Sequence, residues 1–213
     1  NGFFDVLVDT TIYVNNEDDE ASVTFIITEN KRYKIDSIAI NGLDNVPQET
    51  LTRINKIKTI HNGANYSKVL VLQHINEVLD TLQNNGFMNA RIKTDSGTVI
   101  NRYKEKNTVY VQIDLEGTDT IYYFGSTTID IKDNVYGLEK KLPNDEIVYK
   151  EGEIYSKVKR LESERNISRI PIISSAKINT TAVTGNRVDL RVDIKKKKKN
   201  EITPYIKGAN FEN

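Results

Sequence analysis

The chain contains no cysteine, and that one absence removes disulfides, zinc-thiolate sites, thiol nucleophiles and cysteine redox chemistry together. It leaves the compartment open, because many secreted proteins have no bridges. Histidine is scarce as well. His61 and His74 are the two present, and neither has a neighbour at metal-ligand or triad spacing, so both read as structural or surface residues. Long apolar runs are missing: nothing approaches the roughly 18–20 consecutive apolar residues of a membrane-spanning helix. Residues 1–5 carry no charged leader region, and the chain reads as a mature or excised soluble segment. Charge of one sign is not in excess either. Thirty Lys and Arg balance thirty Asp and Glu, which argues against a nucleic-acid partner, since such binders carry a basic surplus to displace counterions. No Gly-x-Ser-x-Gly elbow or phosphate-loop glycine pattern occurs, and Ser67 and Ser156, each after a tyrosine, stand where helix caps belong. No constellation converges on catalysis, so the expectation is no enzyme, no catalytic residue, no metal and no cofactor.

What is present suits folded domains. The 213 residues are 38% hydrophobic, with 11 Tyr and 6 Phe among abundant Ile and Val, enough for the cores of one to three small domains. Internal repetition carries most of the information. Gly63-Ala-Asn-Tyr66-Ser-Lys-Val69 is echoed by Gly152-Glu-Ile-Tyr155-Ser-Lys-Val158, and the same offset of 89 carries Tyr33, Ile35, Ile38 and Ile40 onto Tyr122, Phe124, Thr127 and Ile129. Asn85-Gly-Phe87 likewise repeats Asn1-Gly-Phe3, so the chain opens in the middle of a unit. Three period-two alternations, Val23/Phe25/Ile27, Val109/Val111/Ile113 and Val188/Leu190/Val192, read as strands with one buried face.

Between these strands the spacing predicts helices. Pro47 suits a first helical turn, with Leu51, Ile54 and Ile57 on one face of a helix over about residues 47–58. A second helix, about 67–83, has Ser67 as cap, Leu72, Ile75, Leu79 and Leu82 as its apolar stripe, and Gly86 near its C-terminal end. Asn41-Gly42 and Asn62-Gly63 are turn signals. With strands at 33–40, 90–94 and 108–115 the middle unit is a β-α-α-β-β module. The last unit departs from it: its first helix shrinks to a stretch near residues 137–142, and Ile170-Pro171 replaces Gly-Phe. Its second helix, 156–167, has Val158 and Leu161 predicted inward.

A β-α-α-β-β unit with Tyr-x-Ile opening its first strand, Gly-x-x-Tyr-Ser entering its second helix and Asn-Gly-Phe before its second strand resembles the polypeptide-transport-associated, or POTRA, domain. The resemblance implies an α+β fold of tandem modules, each a three-stranded mixed sheet covered by two helices. It divides the chain into the last part of one domain (1–30), two complete domains (31–118 and 119–196) and a linker (197–213) toward a C-terminal β-barrel of the same chain. It also implies a place on the periplasmic side of a Gram-negative outer membrane, in a protein-assembly or translocation factor of the surface-antigen type. The partners implied are unfolded outer-membrane clients and accessory assembly subunits.

A sheet edge offers unpaired N–H and C=O groups to any extended chain, so such a module can bind by strand addition without special side chains. In the resembling family the second strand is the exposed edge. That selects Ala90, Arg91, Ile92, Lys93 and Thr94 in one unit and Ala176, Lys177, Ile178 and Asn179 in the next. The alternatives are the arm of a two-partner secretion transporter and a spacer that binds no client. The acidic run Glu17–Glu20 lacks the spacing of a calcium loop and reads as a solvated hairpin turn. The basic run Lys195, Lys196, Lys197, Lys198 and Lys199 is a membrane-proximal candidate for anionic lipid, or else a solvated strand end. The neutral total hides a gradient: residues 1–30 hold seven acidic and no basic side chains, whereas 121–199 hold 17 basic and 11 acidic.

Overall fold

The structure, a computed structural model, describes residues 2–15, 20–95, 97–132 and 139–197. The chain forms two compact units. One comprises Asn1–Gln83 with Asn89–Asp119; the other comprises Asn84–Met88 and the chain from Thr120 onward.

The first unit opens with a hairpin of β1 (Leu7–Asn15) and β2 (Glu20–Thr28), paired without slippage from Leu7 opposite Thr28 to Asn15 opposite Glu20. This register gathers Val8, Ile12, Val14, Val23, Phe25 and Ile27 on one face. The alternation at Val23, Phe25 and Ile27 predicted a strand with one buried face; the strand forms but the face is not buried: Phe25 is 64% exposed and Val8 62%, and no layer covers this face among the described residues. Of the acidic turn only Glu20 lies within the described residues.

The main sheet of this unit is built on β6 (Thr108–Glu116), with β3 (Lys34–Asn41) parallel on one side. On the other side, antiparallel, lie β4 (Arg91–Ile92) and β5 (Thr98–Tyr103). Alternation along β6 sends Val109, Val111, Ile113 and Leu115 into the core. Helix α1 (Gln48–Asn55) begins after Pro47, which is its N-cap rather than part of its first turn, and buries Ile54. Helix α2 (Lys68–Gln83) buries Val71, His74, Ile75, Val78 and Leu82. The predicted stripe is therefore turned by one position: Leu72 faces solvent and Val71 takes its place, because 71, 75, 78 and 82 step by three or four residues down one side.

The strand foreseen at residues 90–94 is a correction. Only Arg91 and Ile92 form a ladder, opposite Glu116 and Leu115. Most of the antiparallel pairing with β6 comes from β5, joined to it by the turn Lys104–Asn107, in which Asn107 takes the left-handed conformation.

The second unit keeps the simpler order. Its sheet runs β7 (Tyr123–Lys132), β9 (Arg187–Lys196), β8 (Ile173–Thr184), with β7 parallel and β8 antiparallel to the central strand. Helices α3 (Lys141–Asp145) and α4 (Lys157–Ser168) lie between β7 and β8 in the chain. The short first helix thus falls later than expected, and residues 133–138 of that stretch lie outside the described residues. Phe124, Ile167, Ile173, Ile178, Val188, Leu190, Val192 and Ile194 form the core. Val158 and Leu161 point outward, against expectation; α4 buries Ser163 and Ile167 instead. Ser163 belongs there because its Oγ donates to the Lys159 carbonyl at 2.8 Å and accepts from the Val148 N–H at 3.0 Å.

Candidate functional site

A strand-addition site requires backbone groups pointing away from their own sheet. In an antiparallel ladder alternate residues point outward, so the printed bonds fix which ones do. In the first unit Asp114 N–H donates to the Gly97 carbonyl at 3.1 Å. From there the register turns Val99, Asn101 and Tyr103 toward β6 and leaves Thr98, Ile100 and Arg102 facing out. All six residues of β5 are exposed, and β6 is their one strand partner among the described residues.

The sequence-selected residues 90–94 offer less. Ala90 is buried and its carbonyl accepts from Gln83 Nε2 at 2.9 Å. Arg91 is held by Glu116, Nε to Oε1 at 2.7 Å, and Lys93 N–H donates inward to Asp114 at 2.9 Å. Ile92 lies between them, and Thr94 lies past the end of the ladder. The open edge was therefore missed by about six residues. Its signal was the run of β-branched and aromatic residues in Thr-Val-Ile-Asn-Arg-Tyr, followed by the turn at Lys104–Asn107.

In the second unit β8 is an edge strand, as β7 is on the other side of β9, and the sequence-selected Ala176, Lys177, Ile178 and Asn179 lie on β8. Its outward groups are already engaged there. Ala176 N–H donates to Ser168 Oγ at 3.1 Å, Ile178 N–H donates to Glu164 Oε2 at 2.9 Å, and the Ile178 carbonyl accepts from Arg160 Nη1 at 2.8 Å. Lys177 and Asn179 turn to the polar face of the sheet. There Asn179 Nδ2 donates to Asp193 at 2.6 Å and Arg191 Nε donates at 2.8 Å, which together hold the Asp193 carboxyl below the usual aspartate range.

Against this geometry, the POTRA family model, described as a surface antigen variable number repeat, matches residues 33–116. Residues 33–116 are a POTRA domain. The second unit repeats its plan, and the chain is similar in fold to the solved structure of POTRA3-5 of Haemophilus influenzae BamA. That match covers 92% of this chain and 74% of the other, with a TM-score of 0.57 at 15% identity. BamA of Haemophilus ducreyi lacking POTRA domains 1-3 is similar over 78% of this chain and 30% of its own, with a TM-score of 0.64 at 15% identity. At such identity the likeness is one of fold. No curated protein matches the chain in sequence.

The tyrosines that recur in the two units are packed and hydrogen-bonded. Tyr33 donates its backbone N–H to Gly2 and accepts from Tyr66 N–H; Tyr122 does the same with Gly86 and Tyr155, all at 2.8–2.9 Å. Phe4 sits 5.2 Å from the Tyr33 ring and 5.0 Å from Tyr66. The Tyr33 hydroxyl donates to Asp5 Oδ2 at 2.7 Å, which raises its pKa. Ser156 caps α4 as expected, accepting from Lys159 N–H at 3.4 Å. Asn84 adds a second, unforeseen acceptor for Val158 N–H at 2.8 Å. Of the basic run, Lys195 and Lys196 end β9 opposite Ser175 and Ile173, while Lys198 and Lys199 lie outside the described residues.

His61 is exposed, but His74 is buried in the POTRA core and its Nδ1 has no partner among the described residues. Burial lowers its pKa from 6.5, opposed by the nearby Glu77 carboxylate, itself bound by Thr59 and Gln73. The unfolded chain then binds the proton more strongly than the folded one, so stability is undiminished above pH 6.5 and declines as pH falls from that value toward the lower pKa of the folded state. The first unit should melt at a lower temperature at pH 5.5 than at pH 7.5. His74→Leu should shrink that difference in matched thermal scans; an unchanged difference would remove His74 from the account.

Proposed function

We propose that the chain is a periplasmic docking and scaffolding segment of an outer-membrane protein assembly or translocation machine, with extended client or accessory polypeptides bound by strand addition. The observation that carries the reading is the outward edge of β5, where Thr98, Ile100 and Arg102 present backbone groups beside an exposed strand. A second extended chain laid there gains main-chain hydrogen bonds, each worth about 0.5–1.5 kcal/mol net. Val99 and Tyr103 on one face of the strand, and Ile100 on the other, supply exposed apolar contact. Such recognition tolerates many sequences, which suits a receptor for diverse β-rich polypeptides. The role is binding rather than catalysis. In this reading a β-barrel follows in the same protein, and the lysines that end β9 lie toward an anionic membrane surface, where each contributes about 1 kcal/mol.

The test uses the isotope-labelled 213-residue chain and a synthetic peptide of alternating valine and threonine with lysine ends. Amide shifts should concentrate on Thr98–Tyr103 and on β6 behind it. Ile100→Pro deletes an outward N–H without touching the β6 ladder, and should weaken binding at least tenfold while leaving the thermal midpoint nearly unchanged. Shifts confined to helix faces, or full affinity in Ile100→Pro, would favour a spacer arm that binds no client.

A further inference from the structure

The three groups that engage the β8 edge come from one stripe. Arg160, Glu164 and Ser168 are spaced by four residues along α4, so they project from the same side of the helix, over two turns. Arg160 reaches the Ile178 carbonyl, Glu164 the Ile178 N–H and Ser168 the Ala176 N–H, all on the side away from β9. These are the backbone groups that an added strand would need.

The stripe differs from its counterpart in the first unit. At the repeat offset of 89, positions 160, 164 and 168 correspond to Val71, Ile75 and Leu79. Val71 and Ile75 are buried in the core of the first unit. Their polar replacements are not needed for burial in the second, where Ser163 and Ile167 are the buried residues of α4. A concavity of about 570 Å³ lies over the polar face of the sheet, lined by Asp130 of β7, Arg191 and Asp193 of β9 and Lys177 and Asn179 of β8, and it reaches Glu164 at the β8 edge.

We propose that Arg160, Glu164 and Ser168 form a latch that keeps the β8 edge closed, so that an extended polypeptide pairs with β8 only by displacing these side chains. The inference rests on the strand-addition reading given above and adds its regulation in the second unit. Release needs side-chain rotation and no unwinding of α4. Arg160 Nη1 already lies 3.7 Å from Glu164 Oε2, so the two freed charges have each other as partners when the strand enters. The bonds that close the edge include two to charged groups, which are stronger than neutral ones, so the closed state competes directly with the neutral amides of a client.

The experiment compares the 213-residue chain with its Arg160→Ala/Glu164→Ala/Ser168→Ala variant, using the valine-threonine peptide and reading amide shifts at β5 and β8 separately. The variant should bind the peptide at β8 at least tenfold more tightly than the parent, with affinity at β5 unchanged. Equal or weaker binding at β8, with β5 still occupied, overturns the latch and leaves strand addition at β5 standing. Peptide bound at neither edge in any variant overturns both readings. Should the triple variant unfold, Ser168→Ala alone decides the matter by hydrogen exchange. Ala176 should exchange at least tenfold faster and Ile178 at its parental rate; no change at Ala176 refutes the closed edge.

Discussion

Replacing Phe124 by alanine is expected to cost the second unit about 3–5 kcal/mol, enough to unfold much of it at ambient temperature. Phe124 is completely buried and lies where three structural commitments meet. Its ring stacks on Tyr149 with centroids 4.0 Å apart and tilts against Tyr155 at 5.2 Å. Its backbone N–H donates to the Glu153 carbonyl, and its carbonyl accepts from Gly152 N–H, both at 2.8 Å. Truncation leaves a cavity that these pinned neighbours cannot close, so the loss approaches the full transfer and cavity cost. Tyr149, whose hydroxyl pKa is raised by burial, would gain access to water. Urea unfolding followed by near-ultraviolet circular dichroism reads both effects. A loss below about 1 kcal/mol would mean that the aromatic cluster can repack.

Gly42→Ala is the second large effect, on the first unit. Gly42 has φ +84°, and a Cβ built there would lie 2.3 Å from the Leu115 carbonyl oxygen and 3.0 Å from its carbon. Leu115 belongs to the central strand β6, held by β3 on one side and by β4 and β5 on the other, so its backbone cannot retreat without disturbing three pairings. Gly63 is a matched control, with φ +82° and no atom within 4 Å of such a Cβ. Gly63→Ala should cost about 1–2 kcal/mol for the left-handed backbone alone. Gly42→Ala should cost at least about 3 kcal/mol, with strain and steric conflict combined. Equal midpoints for the two variants in denaturant would show that β6 is more yielding than its pairings indicate.

The repeat made most of the architecture readable. Gly-x-x-Tyr-Ser fixed the start of both long helices because tyrosine packing and serine capping are local demands. The alternations at Val109–Leu115 and Val188–Ile194 marked the central strands because burial on one face imposes period two. What failed was whatever depends on partners distant in the chain. Leu72, Val158 and Leu161 are apolar and well spaced, yet the face turned inward is decided by the sheet beneath: in α2 it takes Val71 in place of Leu72, and in α4 it is the side of Ser163 and Ile167, nearly opposite Val158 and Leu161. The β2 alternation promised a covered face, but coverage is a property of neighbours. The edge itself was legible in the second unit and misplaced in the first, where Gly97 separates β4 from β5 and the longer strand begins only after it. That the β8 edge is closed could not be read at all, since Arg160, Glu164 and Ser168 look like an ordinary solvated helix face until β8 is laid beside them.

The exchange of Val71 and Ile75 for Arg160 and Glu164 also gives the two long helices different thermodynamic characters. Burial of α2 against its sheet is hydrophobic, so its attachment carries a large heat-capacity change and loosens on cooling. Two of the three bonds from α4 to the β8 edge are charge-assisted, from Arg160 and Glu164, side chains about a quarter exposed, and dissolved ions weaken these two while cooling does not. Both units keep an apolar core that answers to temperature, and the helix-to-edge contact of the second answers to ionic strength as well.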